Sequence, residues 1–391
     1  MRPMTGMNLL SGIRIVDMTT VIFGPYATAT LAGMGADVVK IEPPGGDEVR
    51  RVGRPVRTRG MGPCHMTINR GKRSVVWDLK SAAGQEALRR LLGTADVFIH
   101  NLRPDAIMRL DLDYARIRAL RKDILYVHCT GFGSDGPYAG QAAYDDVIQA
   151  AAGIASLLPR TDGRPEPRFL PTALADKVSG LHAVYAVLGA LFHRERTGAG
   201  QRIEVPMFEA VAHFMLVEHL YGATFRPPNA PPGYPRQLDP LRQPMRTSDG
   251  YITVAPYTDA RWQHFFECTG HAGFLPENGL TTARRRDAGK DLMHAKMAAI
   301  LATRSTAYWL EFLRREDIPA FAITDLADVI DDPHLRAVGF FGEEDHPTEG
   351  PYRYPKLPVR FGCGLPDTLR PAPLLGEHSD EVLDQLGLGA P

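Results

Sequence analysis

Apolar and polar positions follow two patterns in the first 225 residues. Short strand-like segments, the first with an apolar residue at every second position, alternate with stretches in which apolar residues recur at helical spacing. The strand-like segments are Ile13–Met18, Asp37–Glu42, Ser74–Leu79, Asp96–Asn101, Ile124–Cys129 and Gln201–Pro206. Strands and helices that alternate in this way predict an α/β fold with a parallel sheet covered by helices.

The pattern changes after Phe225. Seven of the nineteen residues in 226–244 are proline, which excludes a helix or a central strand and indicates a linker or a wrapping loop. A strand-like segment at Tyr251–Tyr257 and helical patterns within 260–315 follow. The predicted large domain is 1–225, completed by 330–391, and the predicted smaller α+β domain is 226–329, which opens with the proline-rich linker 226–244.

Composition excludes several classes of partner. The 391 residues carry 45 basic and 45 acidic side chains, a formal net charge of zero, which does not favour a nucleic-acid partner. No segment approaches the roughly 20 apolar residues of a membrane span, so no membrane partner is expected. The four cysteines, Cys64, Cys129, Cys268 and Cys363, are widely spaced. Their spacing excludes a disulfide scaffold and a cysteine-rich zinc site, and it favours a reducing cytoplasm.

The balanced charge is unevenly distributed along the chain. Residues 50–73 contain eight basic side chains and no acidic one, whereas residues 316–349 contain ten acidic side chains and the single base Arg336. A run of like charge is commonly a solvated face. A basic run is alternatively a basin that attracts a phosphorylated ligand. Both interpretations of residues 50–73 stay open on this evidence, and a solvated face is the expectation for the acidic run.

A glycine-rich segment, Gly131–Gly136, matches the pattern G-x-G-x-x-G and follows a predicted strand. In a dinucleotide-binding enzyme this pattern runs directly into a helix whose N-terminus holds the pyrophosphate. Here Pro137 follows at once, the next helix cannot begin before about Ala142, and the preceding strand is the fifth rather than the first. A flexible loop over a site is therefore favoured over a nicotinamide-dependent oxidoreductase.

Asp176 stands at the start of a long helical pattern, before the apolar run 181–192. Asp is a favoured helix N-cap, which gives Asp176 a structural interpretation. A carboxylate that a helix N-terminus holds ionised can alternatively serve as a covalent nucleophile. The patterns HExxH, GxSxG and GxxxxGK(S/T) are absent from the sequence, which argues against a zinc peptidase, an α/β-hydrolase and a P-loop enzyme. No metal site is predicted.

Several segments, taken together in order and spacing, resemble a known family. They are Leu10–Asp17, Val21–Pro25, Gly33–Pro43, Asn69–Ser74, Asp78–Lys80, Ala95–Pro104, Gly131–Gly133, Gly136–Pro137, Ala143–Asp145, Ala175–Asp176 and Thr197–Gln201. In this arrangement the chain resembles the family III CoA-transferases, which include formyl-CoA transferase and carnitine CoA-transferase. The resemblance is strong over about residues 8–225 and weaker beyond them. The related α-methylacyl-CoA racemases share much of the pattern.

The resemblance implies an interlocked homodimer in which each chain has a Rossmann-like large domain and a smaller domain. It also implies that Asp176 is the nucleophile, which attacks the thioester carbonyl of an acyl-CoA. An aspartyl anhydride and then an aspartyl–CoA thioester form, and CoA passes to a carboxylic acid acceptor. No cofactor is permanently bound, because coenzyme A is itself a substrate, and neither ATP nor a metal is required.

The resemblance further implies which residues contact coenzyme A. Val21, Ile22 and Phe23 line the pantetheine channel, and Tyr144 lies beside the nucleophile and faces the thioester. The positions toward the adenosine and the phosphates are Trp77, Asp78, Leu79, Lys80, Asn101, Leu102, Arg103 and Arg109. Pro43 replaces an arginine of a family member in the coenzyme site. Ile22 replaces a glutamine of formyl-CoA transferase, which argues against formate and oxalate as substrates.

Two alternatives to a transferase accompany the resemblance. A racemase carries a His-Asp pair just after the Gly-Pro loop, where it serves in α-proton exchange. This chain has Tyr144 and Asp145 at that place, which favours the transferase. A non-catalytic CoA-binding protein is the second alternative.

The resemblance bears on the charge runs and leaves the acid substrates open. Residues 50–73 fall between two segments that line the adenosine end in the family, which favours the basin interpretation, with only some of the eight side chains touching phosphate.

Four arginines of the second domain are candidates for holding the distal carboxylate of a dicarboxylic acceptor, with ordinary surface positions as the alternative. They are Arg236, Arg242, Arg246 and Arg261.

Overall fold

The structure is a computed structural model that describes residues 8–54, 57–366 and 368–389. The backbone packs as two compact units. The first unit takes in the described parts of Met1–Ser156, Arg168–His219 and Ala337–Pro391, and the second takes in Leu157–Pro167 and Leu220–Arg336. Each unit has a hydrophobic core of its own.

The first unit is built on a six-stranded sheet in which all neighbouring strands are parallel. Its strands are β1 (Arg14–Met18), β2 (Asp37–Glu42), β3 (Lys72–Val76), β4 (Val97–His100), β5 (Leu125–Thr130) and β6 (Gln201–Pro206). The α/β fold predicted from the sequence is thus confirmed. The strand order is β3-β2-β1-β4-β5-β6, so the chain progresses outward in opposite directions from the β1–β4 pair. In sheets of this order a crevice opens at the carboxyl ends of that central pair.

Helices supply the rest of the regular structure, together with two small antiparallel sheets. The helices are α1 (Phe23–Gly33), α2 (Pro63–Ile68), α3 (Ala82–Gly93), α4 (Pro104–Arg109), α5 (Tyr114–Leu120), α6 (Asp145–Ala151), α7 (Leu157–Asp162), α8 (Leu174–Thr197), α9 (Met207–His219), α10 (Asp259–Cys268), α11 (Phe274–Glu277), α12 (Ala283–Ala288), α13 (Lys290–Leu301), α14 (Thr306–Arg315), α15 (Leu326–Val329), α16 (Pro333–Ala337) and α17 (Ser379–Gln385). The remaining strands are β7 (Met245–Arg246), β8 (Tyr251–Val254), β9 (Ala320–Ala322), β10 (Phe341–His346) and β11 (Gly350–Pro355). None of the helices in the described ranges combines the length and apolar character that crossing a bilayer requires.

The sequence pattern over about 104–120 predicts a single helical stretch, but the structure divides this stretch into α4 and α5. The break lies at Asp111, whose φ of 56° is left-handed and ends α4. Asp113 then caps α5, because its side chain accepts hydrogen bonds from the backbone amides of Ala115 and Arg116. Two turn-forming acids within a helical pattern therefore decide the local structure.

Apolar residues recur at helical spacing in the segment after the third strand, and this periodicity correctly predicts the buried face of α3. Ala87, Leu88, Leu91 and Leu92 fall on one face of α3, and all four are buried against the sheet. They pack with side chains of the strands such as Phe98, which is inaccessible to water. Burying a leucine-sized side chain contributes roughly 1.5–3 kcal/mol, so this face fixes α3 on the sheet.

Half of the basic run at residues 50–73 is buried and paired with acids. The pairs are Arg50–Glu42, Arg70–Glu344, Lys72–Asp17 and Arg73–Asp37. The exposed members of the run are Arg51, Arg54, Arg57 and Arg59. Four of the eight cations therefore already have an intramolecular counter-charge and are not free to contact a phosphorylated ligand. Any attraction of a phosphorylated ligand is restricted to the exposed four.

Two members of the acidic run at residues 316–349 are bound to the basic run at residues 50–73. Glu344 accepts hydrogen bonds from the Arg70 guanidinium. Glu349 is buried and accepts hydrogen bonds from the backbone amides of Arg57 and Thr58, at 3.0 and 3.1 Å. The solvated-face interpretation is wrong for these two carboxylates, which fasten the β10–β11 hairpin to the basic segment.

Two lysines lie wholly out of contact with water behind the loop that follows β1. Lys40 Nζ is 3.0 Å from a carboxylate oxygen of Asp47 and donates to the carbonyl of Thr19 at 2.6 Å. Lys72 Nζ lies 3.3 Å from Asp17 and has two further acceptors. A buried ammonium without such partners costs several kcal/mol, so each lysine fixes the groups around it.

Replacing Lys72 by methionine will therefore lower the free energy of unfolding by about 3–5 kcal/mol, because the substitution leaves the Asp17 carboxylate buried without its main partner. Urea denaturation followed by circular dichroism measures the change. The matched control is Arg89→Met, which removes an exposed partner of Glu86 and is expected to leave the midpoint nearly unchanged. Equal midpoints for the two variants would contradict the role assigned to the buried pair.

Candidate active site

A cleft opens in the first unit where the sheet order predicts a crevice. The loops after β1, β4 and β5 form its walls, and the segment 140–144 and the first turn of α8 complete them. Seven of the predicted site residues line the cleft: Val21, Phe23, Asn101, Leu102, Arg103, Tyr144 and Asp176. The sheet topology therefore brings together residues that are far apart in the sequence.

Asp176 lies in the first turn of α8, and its side chain is 8% exposed. The residue that caps this helix is Ala173, without a side-chain hydrogen bond. The N-cap interpretation of Asp176 is therefore wrong. An aspartate that does not cap its own helix leaves its carboxylate available to the cleft.

Close packing of α8 against α1 places two helix N-termini at the Asp176 carboxylate. Gly180, one turn further along α8, permits this approach, because a Cβ there would lie 2.8 Å from the Tyr26 ring and 3.0 Å from the Phe23 carbonyl oxygen. The first residue of α1 is Phe23, and its backbone lies close enough to the Asp176 carboxyl to lower its pKa. Partial positive charge from both helix ends thus faces one carboxylate.

Burial nevertheless dominates the electrostatics of Asp176. Loss of water contact and the neighbouring Asp145 carboxylate raise the pKa of Asp176 to about 7, against the lowering effects of the Phe23 backbone and Lys177. The expectation that the helix N-terminus keeps Asp176 ionised is therefore met only in part. Near neutral pH the carboxylate lies close to its titration midpoint, which is a common property of reactive groups.

Asp145 is a site residue for which the sequence alone suggests no role. One of its carboxylate oxygens accepts the backbone amide of Asp176 at 3.0 Å, and the other accepts the side-chain amide of Gln149 at 2.6 Å. Gln149 is fully buried and also donates to the carbonyl of Thr172. Asp145 thus fixes the start of α8 from the first turn of α6. The available signal was its position directly after Tyr144 in the family motif.

The loop after β1 carries local backbone strain beside the cleft. Val21 has a φ of 68°, a left-handed conformation that is rare for a β-branched residue. Its amide donates to the Asp47 carboxylate at 3.1 Å, and Asp47 is the buried partner of Lys40. Strain of this kind persists only where surrounding contacts hold it, and it clusters at functional sites.

Asn101 links the loops after β1 and β4 across the cleft. Its side-chain oxygen accepts the Thr20 amide at 3.1 Å, and its side-chain nitrogen donates to the Thr20 carbonyl at 3.1 Å. The neighbouring Arg103 is exposed at the rim and precedes α4. Asn101 therefore shapes the cleft wall, and Arg103 offers a charge to a ligand that enters.

The other predicted coenzyme contacts do not line the cleft. They are Ile22, Pro43, Trp77, Asp78, Leu79, Lys80 and Arg109. Trp77 is 7% exposed and belongs to the hydrophobic core, so its ring is not presented to a ligand. Asp78 and Lys80 are exposed beyond β3 at the sheet edge, and Arg109 is exposed at the end of α4. These exposed residues lie at the surface outside the cleft.

Two histidines of adjacent strands stack at the base of the site. His100 and His128 face each other with ring centroids 4.7 Å apart, and His128 lines the cleft. His100 also hydrogen-bonds the Tyr126 hydroxyl at 2.9 Å. Burial lowers the pKa of both imidazoles, so they are neutral at pH 7. Sequence reasoning missed this pair, although each histidine is the last residue but one of its strand-like segment.

The glycine-rich segment 131–136 does not form a phosphate cradle. The Gly133 amide donates to Glu209 at 2.9 Å, and the Ser134 amide and hydroxyl donate to Glu204, each at 2.7 Å. Amides that already bind carboxylates are not available to a pyrophosphate, and the two acids would repel one. This geometry agrees with the interpretation of the segment as a loop over the site.

Two of the four candidate arginines for a second carboxylate have partners within the second unit. Arg261 forms an ion pair with Asp317 at 2.7 Å, and the guanidinium of Arg236 lies 4.6 Å from the centre of the Tyr257 ring. Arg242 and Arg246 are exposed. All four belong to the second unit, whereas every residue that lines the cleft belongs to the first.

Comparison with known proteins agrees with the site. The model of the family described as CoA-transferase family III matches residues 10–379. The succinate–glutarate CoA-transferase of Agrobacterium fabrum is 33% identical over 96% of this chain and 95% of its own length. A succinyl-CoA:mesaconate CoA-transferase of Haloarcula hispanica is 29% identical, with 98% of both chains covered. The crystal structure of a CAIB/BAIF family protein from Brucella suis superposes with a TM-score of 0.82, at 30% identity over 97% of this chain and 100% of that one. This chain belongs to the CoA-transferase family III and is an enzyme of the transferase type.

Proposed function

We propose that the protein moves coenzyme A from an acyl-CoA thioester to a free carboxylic acid, with Asp176 as the covalent nucleophile. The observation that carries the proposal is the buried Asp176 carboxylate, which faces a cleft at the switch point of the sheet and meets the N-termini of α1 and α8. Names of relatives point to transferases, and a racemase is not favoured.

The first half of the reaction forms two covalent intermediates. An oxygen of ionised Asp176 attacks the thioester carbonyl, the carbon–sulfur bond breaks, and CoA leaves as a thiolate, which gives an aspartyl anhydride. The thiolate then attacks the aspartyl carbonyl of the anhydride. A carbon–oxygen bond breaks, the donor acid departs as its carboxylate, and CoA remains on Asp176 as a thioester.

The second half repeats these steps in reverse with the acceptor. Its carboxylate attacks the Asp176 thioester and forms a new anhydride with release of CoA thiolate. The thiolate then attacks the acceptor carbonyl, which forms the new acyl-CoA and returns Asp176 as a carboxylate. Each step exchanges one activated acyl bond for another, so no external energy source enters the balance.

The raised pKa of Asp176 serves this chemistry. Burial makes the carboxylate a stronger base, and hence a stronger nucleophile, than an exposed aspartate. The Phe23 backbone, which lies beside Asp176 at the start of α1, is positioned to stabilise negative charge that develops on oxygen. Asp145 positions the reacting turn through the Asp176 amide.

We propose a path for coenzyme A from the cleft outward. Its pantetheine arm passes Val21, Ile22 and Phe23, and Tyr144, which is 60% exposed, faces the thioester. The adenosine and phosphates reach residues of the loops after β3 and β4, with positive charge from Lys80, Arg103 and Arg109. The ring of Trp77 is buried, so this residue contributes its backbone to the coenzyme site while its ring supports the edge of the sheet at β3. Pro43 offers no charge to replace the arginine of the family.

Dicarboxylic acids are the proposed class of acid substrate. The names of the two relatives given above refer to succinate, glutarate and mesaconate, which are all dicarboxylic acids. A second carboxylate would require a cation near the acid pocket. Arg242 and Arg246 remain candidates for that cation, while Arg236 and Arg261 already have partners. Succinyl-CoA with glutarate or mesaconate is therefore the first pair to measure.

A homodimer with interlocked chains is part of the proposal. An apolar face of the first unit is exposed on α8 and α9, where Tyr185, Phe192 and Val217 are 62%, 64% and 74% exposed. Faces of this kind commonly bind another protein, and we assign a second copy of the chain to it. We also keep residues 226–329 as the small domain, with the large domain completed by 330–391. The four free thiols fit a cytoplasmic location.

Asp176→Ala will abolish CoA transfer, because the variant lacks the carboxylate that carries the acyl and CoA intermediates. The wild-type protein incubated with succinyl-CoA will gain the mass of CoA less one water on the peptide containing Asp176, and hydroxylamine will release the CoA. The control is Asp384→Ala, which removes an exposed acid of α17 and should keep full activity. Retained transfer in the Asp176 variant would refute the mechanism. Exchange of an α-proton with deuterated solvent would identify a racemase instead.

The rate of CoA transfer will rise with pH through a midpoint near 7, because only ionised Asp176 attacks and its folded-state pKa is about 7. Asp145→Asn keeps the hydrogen-bond acceptor for the Asp176 amide and removes the repelling charge. The midpoint of that variant will therefore move to lower pH. Measurement of kcat/KM between about pH 5 and about pH 9 tests both statements. A common midpoint for the two proteins would contradict the assigned cause.

The protein in solution will have twice the chain mass of 43.0 kDa, because the apolar face on α8 and α9 needs a partner. Sedimentation equilibrium over a range of concentrations measures the mass. Val217→Glu places a charge in the face and will raise the monomer fraction, whereas Met108→Glu, at an exposed apolar position on α4, will not. A monomer of wild-type protein at all concentrations would disprove the assembly.

A further inference from the structure

Three side chains of different chemistry meet on the second unit. His264 and Cys268 lie one turn apart on α10, and Glu316 follows directly after α14. An imidazole nitrogen, the Cys268 sulfur and a carboxylate oxygen all lie within 4.8 Å of one another. Donor atoms of a tetrahedral zinc ion lie about 2.0–2.3 Å from the metal, so small side-chain rotations bring these three to coordinating distance. Glu316 is distant from the other two in the chain, and the sequence therefore conceals the group.

The carboxylate of Glu316 is already oriented toward the other two groups. One of its oxygens accepts a hydrogen bond from Arg315 Nε at 3.2 Å, and the other lies 3.2 Å from His264 Nε2. Outer partners that hold a ligand in place in this way are typical of metal sites. On α10, the spacing of four residues places His264 and Cys268 on the same helix face.

The group is accessible, and its donor atoms select a class of ion. His264 and Glu316 side chains are 43% and 23% exposed, and Cys268 also lines a surface cavity of about 300 Å³. A hydrated ion therefore has an entry route. A thiolate, an imidazole and a carboxylate together favour zinc and similar borderline ions, whereas magnesium and calcium prefer oxygen donors alone.

We propose that His264, Cys268 and Glu316 form a binding site for one zinc-class divalent cation, with water as the fourth ligand. Binding releases the thiol proton of Cys268 to solvent, and the thiolate and the carboxylate then balance the double charge of the ion. The site is independent of the CoA-transferase function proposed above.

The ion would connect two helices that form the core of the second unit. Phe265 and Phe266 of α10 and Trp309 and Leu313 of α14 are buried in one hydrophobic cluster. A cation held by α10 and by the residue after α14 binds the folded unit better than the unfolded chain. Binding therefore raises the stability of that unit by mass action.

Cobalt(II) is the probe that tests the site, because its spectrum reports both thiolate coordination and tetrahedral geometry. Untagged protein, stripped with a chelator and kept reduced, is titrated with cobalt(II) and then with zinc. We expect one equivalent per chain, a thiolate-to-cobalt charge-transfer band in the near ultraviolet, and loss of that band as zinc displaces cobalt. Zinc will also raise the temperature of thermal unfolding.

Variants decide whether the three named residues are responsible. Cys268→Ser will remove the charge-transfer band, and His264→Ala and Glu316→Gln will each weaken cobalt binding at least tenfold. Cys363→Ser removes another exposed thiol and is expected to leave the spectrum unchanged. Circular dichroism shows whether each variant is folded. If Cys268→Ser does not fold, His264→Ala, which changes an exposed side chain, tests the site in its place. A wild-type protein without the band, or a band that survives in all three variants, overturns the proposal.

Discussion

The ion pair between Lys40 and Asp47 holds the loop on which the cleft depends. Both side chains are fully shielded from water, so the pair can neither separate nor exchange partners without exposing an uncompensated charge. Asp47 uses another contact to hold the Val21 amide in a left-handed turn. The chain then enters α1 with the Phe23 backbone beside Asp176. A charge pair in the interior thereby helps to position the Asp176 carboxylate, which it does not touch.

Opposing forces on Asp176 define the character of the site. Two helix N-termini favour its negative charge, whereas burial and the Asp145 carboxylate oppose it. Burial and Asp145 have the larger effect, and the pKa of Asp176 is raised. The same contacts that fix the position of the carboxylate also exclude water from it. Sheet topology makes this arrangement possible. From β1 and β4 the chain progresses outward in opposite directions, so the loops at their adjacent carboxyl ends leave a crevice between them.

Sequence patterns predicted the parts of the fold that depend on local composition. The strands and the buried face of α3 follow from apolar periodicity, and the family motifs drew attention to Asp176. Partners distant in the chain escaped prediction. The basic run looked like a free positive surface because Arg70 finds Glu344 only in the folded chain. The pKa of Asp176 likewise depends on its burial and on Asp145, neither of which periodicity reveals.

The C-terminal segment of the first unit has a consequence for the order of folding during synthesis. The Pro373 carbonyl accepts hydrogen bonds from Arg50 and His65, and Glu344 pairs with Arg70. These contacts cannot form until residues 344 to 373 have left the ribosome. The second unit, which is mostly continuous from Leu220 to Arg336, can be completed earlier. The nascent N-terminal sheet must therefore wait for its final contacts until after the second unit has been synthesised, although its own strands are made first.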